Sequence, residues 1–138
     1  DYAVDYDRPG WPDLVRDALA DGAVTLALDG VGGAIGRDAL ELLDVGGRLV
    51  MFGSASGSLT ELSSADLFGR GISAAAAVGA RILRRPGGVR TLERDALEAL
   101  DGKRLVPVIG QRFALADAAD AHAALQSRAT TGKTILRP

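Results

Sequence analysis

Between residues 26 and 40 the sequence LALDGVGGAIGRDAL sets an apolar run, a cluster of glycines and the start of an amphipathic stretch side by side. No other feature constrains the fold so tightly. Residues 23–28 are short and nearly continuously apolar, the pattern of a strand covered on both faces. Gly30, Gly32, Gly33 and Gly36 let the backbone turn sharply after it. Ile35, Ala39, Leu40, Leu42 and Leu43 then recur at helical spacing, and Gly46 and Gly47 are expected to close that helix.

The same unit recurs along the chain. Residues 48–52 form a second apolar strand, followed by the loop FGSASG at 52–57. Residues 64–70 predict a short helix with a serine cap, and 72–78 a third strand made mostly of alanine. Upstream, 3–6 reads as a strand. Pro12 opens a helix over 13–20 that ends at Gly22. Downstream come a helix over 89–100 stopped by Gly102, an extended stretch 105–109, an alanine-rich helix 115–126 with a capped start at Ala116 and Asp117, and a terminal strand 134–136. Such alternation predicts an α/β fold with a parallel sheet and right-handed crossovers. No linker or low-complexity segment interrupts it.

Composition narrows the function classes. The chain has 138 residues, 47% hydrophobic and 25% charged, which suits one domain with a sizeable core. A net charge of -2 without a dense Lys/Arg tract argues against gripping nucleic acid or an anionic membrane. With no cysteine and one histidine, a disulfide framework, a Cys-based zinc site and a multi-histidine site are all excluded from this chain. The longest uncharged apolar run, 72–80, is half a membrane span, and the N-terminus carries no signal pattern, so a cytoplasmic location is expected. An opening strand so close to Asp1 also suggests part of a longer protein.

The glycine cluster invites comparison with a dinucleotide phosphate loop, which needs Gly-x-Gly-x-x-Gly and an acidic residue ending the next strand. Here the spacing is one residue longer, and the following strand ends Val50, Met51, Phe52, Gly53, Ser54 with no carboxylate. Asp29 would also bring negative charge toward a pyrophosphate. The phosphate-loop reading is therefore rejected. A methyltransferase loop fares no better, because it wants glycine where Val31 stands. TGKT at 131–134 lacks the upstream glycine of a nucleotide-binding P-loop, since position 127 is serine.

Taken in order, AVDY (3–6), LDGVGG (28–33), GGRLV (46–50), FGSASG (52–57), PVIG (107–110), ADAHAA (119–124) and TGKTIL (131–136) resemble one family from end to end. It is the zinc-independent NADPH:quinone oxidoreductase branch of the medium-chain dehydrogenase/reductases. The resemblance covers the family's C-terminal part only. It implies that 1–102 is the second half of a Rossmann-type doubly wound parallel sheet. Residues 103–138 are then a strand-helix-strand segment returning to a catalytic domain that lies upstream, as does the true phosphate loop.

The same resemblance implies the cofactor contacts. Tyr6 would flank the adenosine end. Asp29, Gly30, Val31 and Gly32 would approach the nicotinamide ribose, Phe52, Gly53 and Ser54 the nicotinamide side, and Ala77, Val78 and Gly79 the carboxamide. Lys133 would lie near the domain cleft. The implied cofactor is NADPH, with the residues that choose it over NADH expected upstream of Asp1. No acid/base pair reads as catalytic: Asp117 and Asp120 fit a solvated helix face, His122 a packing or capping histidine, and Trp11 a lid over an apolar surface. No metal site is expected.

The expected activity is hydride transfer from nicotinamide to a quinone or conjugated carbonyl (enone). A second expectation is a non-catalytic half-domain that acts as an interaction fragment. In either case the flat, uncharged strand 72–78 is expected to pair with its twin in a homodimer.

Overall fold

Three parallel strands organise the first part of the chain. The computed structural model describes residues 1–138, apart from the side chain of Arg81. Strands β1 (Val24–Asp29), β2 (Leu43–Met51) and β3 (Ser73–Ala76) lie in the order β1-β2-β3, with both ladders parallel. Parallel neighbours need a crossover. Helix α2 (Gly33–Leu42) supplies the first and α3 (Ser64–Arg70) the second. Helix α1 (Trp11–Leu19) precedes β1 and packs on α2, and α4 (Ala80–Leu83) follows β3.

Strand alternation decides which side becomes core. Ala27, Leu49, Met51 and Ala74 share one face through the ladder register. Against it pack the buried Leu40, Leu43 and Ile72, with Leu67 of α3 at the margin. Leu40 and Leu49 are fully buried, each contributing about 1.5–3 kcal/mol by leaving water.

Several expectations are corrected here. The strand at 23–28 is not covered on both faces: Leu26 and Leu28 are 51% and 66% exposed. Both point away from the face that the core helices cover. Residues 3–6 form no strand, because the outer edge of β1 carries no ladder and a strand needs a neighbour. Helix α2 ends at Leu42 without waiting for Gly46 and Gly47, which lie inside β2. Val24 pairs with Leu43 before the register shifts to pair Leu26 with Arg48, so β2 starts early and carries extra residues. The third strand is confined to Ser73–Ala76 within 72–78.

The serine cap expected for 64–70 forms at Ser63. Its hydroxyl accepts from the Asp66 N–H, and the Asp66 carboxylate accepts from the Ser63 N–H at 2.7 Å. That reciprocal pair is a capping box with aspartate in the glutamate position.

The chain divides by its contacts into Asp1–Arg85 and Pro86–Pro138. In the second unit, α5 (Gly88–Asp101) ends at Gly102 as expected. It is followed by β4 (Ile109–Ala114), the 3-10 turn Leu115–Asp117, α6 (Ala118–Gln126) and β5 (Lys133–Arg137). β4 and β5 pair in parallel across α6, the strand-helix-strand arrangement expected of this segment. The strand lies later than the extended stretch 105–109, because β5 pairs Thr134 through Arg137 with Gln111 through Ala114. Asp117 makes no side-chain cap, and the 3-10 turn tightens the helix start in its place. This division parts the chain ahead of α5, whereas the resemblance implies a boundary at 102.

Candidate functional site

The carboxyl ends of the three strands of the first unit are level. Asp29 pairs with Met51, and Met51 pairs with Ala76. The segments that follow, from Gly30, Phe52 and Ala77, therefore leave one edge of the sheet side by side. Hydrogen bonds extend the ladders past the strands: the Phe52 N–H donates to the Asp29 carbonyl and the Ala77 N–H to the Met51 carbonyl, both at 2.8 Å. Parallel sheets bind their ligands at this edge.

The first two loops are then joined further out. The Ala55 N–H donates to the Gly30 carbonyl at 3.2 Å and the Ser56 N–H to the Val31 carbonyl at 2.9 Å. The Phe52 ring lies on Gly30, where a Cβ would come within 2.8 Å of it. Gly32 has φ +73° and caps α2, and a Cβ there would run into the Ser58 carbonyl, so no other residue fits both the dihedral and the space.

Beneath this crossing sits Asp29, 5% exposed. One carboxylate oxygen accepts from the Val31 and Gly32 N–H groups, both at 2.9 Å, and the other from the Thr60 hydroxyl at 2.5 Å. Burial pushes the Asp29 carboxyl up. The hydrogen bonds from Thr60, Gly32 and Val31 outweigh it and hold the group below the usual carboxylate range. A second network lies on α2, where Arg37 makes a fork to both Asp66 oxygens at 2.8 and 2.7 Å and reaches Glu41 at 3.0 Å. The Arg37 fork, with Ser63, holds the Asp66 carboxyl well below the carboxylate range, and the two carboxylates raise the Arg37 guanidinium.

A mostly apolar cleft of about 690 Å³ opens beside the first loop, with Tyr6, Trp11, Leu28, Gly30, Val31 and Ile35 among its walls. It brings Tyr6 into one space with Asp29, Gly30 and Val31. Phe52 and Gly53 lie against Gly30, and Ser54 is exposed with its carbonyl accepting from the Gly57 N–H at 2.9 Å. Ala77 is half-buried, Val78 exposed, and Gly79 caps α4 with φ +87°. Eleven of the twelve residues expected at the cofactor therefore belong to the first unit. Lys133 begins β5 in the second unit, exposed, its N–H donating to the Val108 carbonyl at 2.7 Å.

Sequence reasoning missed Thr60 and the Arg37–Asp66 pair. Thr60 stands in a polar stretch with no periodicity to mark it. Buried threonine becomes visible only once its partner is placed. His122 is exposed on α6 and is not packed as expected. Among the described residues, no group of three or more His, Cys, Asp or Glu side chains could hold a metal ion. Among them too, no helix is long and apolar enough to cross a membrane.

The sequence pattern of the family described as zinc-binding dehydrogenase matches residues 1–136. A relative from Bos taurus, quinone oxidoreductase-like protein 2, is 31% identical over 136 residues, covering 97% of this chain and 39% of its own length. The chain thus spans about two fifths of that relative. Among solved structures, an NAD-dependent alcohol dehydrogenase superposes with a TM-score of 0.75 at 26% identity, over 98% of this chain and 37% of its own. A mycobacterial protein complexed with NADPH superposes with a TM-score of 0.72 at 27% identity, over 100% of this chain and 42% of its own. With a level three-strand carboxyl edge, a second strand-helix-strand unit and a family pattern running almost from end to end, the chain belongs to the zinc-binding dehydrogenase family of medium-chain dehydrogenase/reductases.

Proposed function

We propose that this chain is the C-terminal, nicotinamide-side part of an NADPH-dependent oxidoreductase that reduces a quinone or conjugated carbonyl. The observation that carries this reading is the level ending of β1, β2 and β3, which sets Gly30, Phe52 and Ala77 on one edge. The relatives' names support it: one is a quinone oxidoreductase-like protein, and one solved neighbour carries NADPH. They favour a cofactor-binding part over a non-catalytic interaction fragment.

The residues present fit the nicotinamide half of such a cofactor. Small residues and backbone groups line the edge, and the Asp29 charge is already met by three hydrogen bonds, so it does not stand free against the ligand. When bound, the cofactor supplies the hydride. The chain's part is to orient and to exclude water. Gly30, Val31 and Gly32 let the backbone approach the ribose, Phe52, Gly53 and Ser54 face the ring, Ala77, Val78 and Gly79 face the carboxamide, and Tyr6 lies toward the adenosine.

The reading includes 1–102 and 103–138 as parts of two domains of a longer cytoplasmic enzyme, zinc-independent chemistry, and a homodimer paired through strand 72–78. Titrating NADPH and NADH into this chain and into an N-terminally extended form, with nicotinamide fluorescence as readout, tests the central point. Binding by the extended form, tighter for NADPH, is expected. Binding of neither nucleotide by either form overturns the reading. Sedimentation velocity checks the dimer, which a monomer at assay concentration would refute, and metal analysis of the extended enzyme checks zinc independence.

A further inference from the structure

We infer that Asp29 and Thr60 form a positioning pair that sets the distance between the first two loops of the sheet edge. This rests on the nicotinamide reading above and assigns Asp29 a different task from touching the cofactor.

The geometry is specific. Asp29 is the last residue of β1, so its side chain stands where the chain leaves the sheet. One of its oxygens is taken by the Val31 and Gly32 N–H groups, which bends the glycine loop back over the carboxylate. The other accepts the Thr60 hydroxyl at 2.5 Å, 31 residues along the chain. Thr60 is 8% exposed and lies in the segment that runs from β2 to α3. The carboxylate is thus the shared anchor of both loops, while the Ala55 and Ser56 N–H groups tie their outer parts together.

Its surroundings leave no slack. Gly36, on the first turns of α2, is buried against the Thr60 hydroxyl, and a Cβ there would also come within 2.6 Å of the Asp29 carboxylate. The Ser58 carbonyl lies on Gly32. Charge-assisted hydrogen bonds are short and directional, so a buried carboxylate with three donors holds the loop backbone in one place. Since hydride transfer depends on geometry at the ångström scale, the pair acts on the reaction through Gly30 to Gly32 and Phe52 to Ser54.

The test compares T60V, T60S, D29N and, as a control for lost stability at the other end of α2, R70A. Cofactor affinity, the split between KM and kcat, and melting temperature are read in the extended protein. Amide exchange at Val31 and Gly32 is read without cofactor. T60V, which keeps shape and loses the hydroxyl, is expected to weaken cofactor binding about tenfold and lower kcat by a similar factor. T60S retains the hydroxyl and stays within about twofold. Exchange at Val31 and Gly32 rises in T60V, while R70A lowers the melting temperature and leaves affinity unchanged. If D29N fails to fold, T60V carries the test. Unchanged affinity and kcat in T60V, with only a lower melting temperature, overturns the positioning role and leaves the nicotinamide reading standing. Absence of cofactor binding by the unsubstituted protein overturns both.

Discussion

Gly36 and Gly69 show how one residue type carries opposite demands in neighbouring helices. A methyl at Gly36 would strike the Thr60 hydroxyl and crowd the Asp29 carboxylate, whereas one at Gly69 in α3 would meet nothing within 4 Å. Gly36→Ala is therefore expected to cost about 1–3 kcal/mol as an overpacked substitution. Gly69→Ala should gain about 0.5–1 kcal/mol, because glycine is the poorer helix former. Urea unfolding of the two variants checks both signs, and equal effects would refute the packing around Asp29. Asp29 also sets a pH dependence. Its carboxyl lies below its unfolded value of 3.8, so its contribution to stability is present above that value and disappears as pH falls through the folded one. Asp66 behaves in the same sense. D29N and D66N should each flatten the acid limb of stability below about pH 4 relative to the unsubstituted protein, as followed by circular dichroism during acid titration. An acid limb of unchanged steepness in both would contradict these assignments.

At the scale of the element, α2 is finished by a residue of another helix. Arg70 of α3 donates to the Leu43 carbonyl at 2.6 Å and to the Glu41 and Leu40 carbonyls at 3.1 Å. The last carbonyls of a helix lack the partners that inner ones have; here the Leu40 carbonyl accepts the Leu43 N–H besides Arg70, and a cation at this end is favoured by the helix dipole. Arg70→Ala should therefore destabilise by about 1–3 kcal/mol, with Arg70→Lys recovering part, because lysine keeps the charge and loses the fork. Thermal melts of the two variants decide this, and equal melting temperatures would refute the capping role. The elements were legible in sequence where the signal is local. Helical apolar spacing marked α2, and serine chemistry marked α3. The start of β2 was not legible, because Leu43 through Gly47 become strand only by pairing with β1. The start of β4 was hidden likewise: Gln111 and Arg112 carry no strand signal until β5 lies beside them.

For the molecule as a whole, the division at Arg85 and Pro86 follows a short helix, and residues 84–86 are exposed. Exposed junctions with few crossing contacts open first to proteases. Trypsin is expected to cut early after Arg84, with Arg85 shielded by Pro86, yielding fragments that mass spectrometry assigns to 1–84 and 85–138. Earliest cleavage after Arg48, inside β2, would contradict the division. The sheet of the first unit also keeps Leu26 and Leu28 exposed on one face, which accords with a chain spanning about two fifths of its relative's length.

What the sequence determined alone was the succession of strand, glycine turn and helix, the parallel sense of the sheets, and the resemblance to a known family. Each of these rests on signals a few residues long: periodicity, glycine at turns, serine at caps. The tertiary structure alone decided where the polar side chains spend their hydrogen bonds. Asp29 meets Thr60 across 31 residues, Arg37 meets Asp66 across 29, and Arg70 meets Leu40 across 30. Such pairings depend on how β1, β2 and β3 fall into register, a long-range outcome of burying Leu40, Leu43, Leu49 and Ile72 together, and no local pattern encodes it. That is why the hydrogen bonds of the buried Asp29 carboxylate to Val31, Gly32 and Thr60 emerge only in the fold.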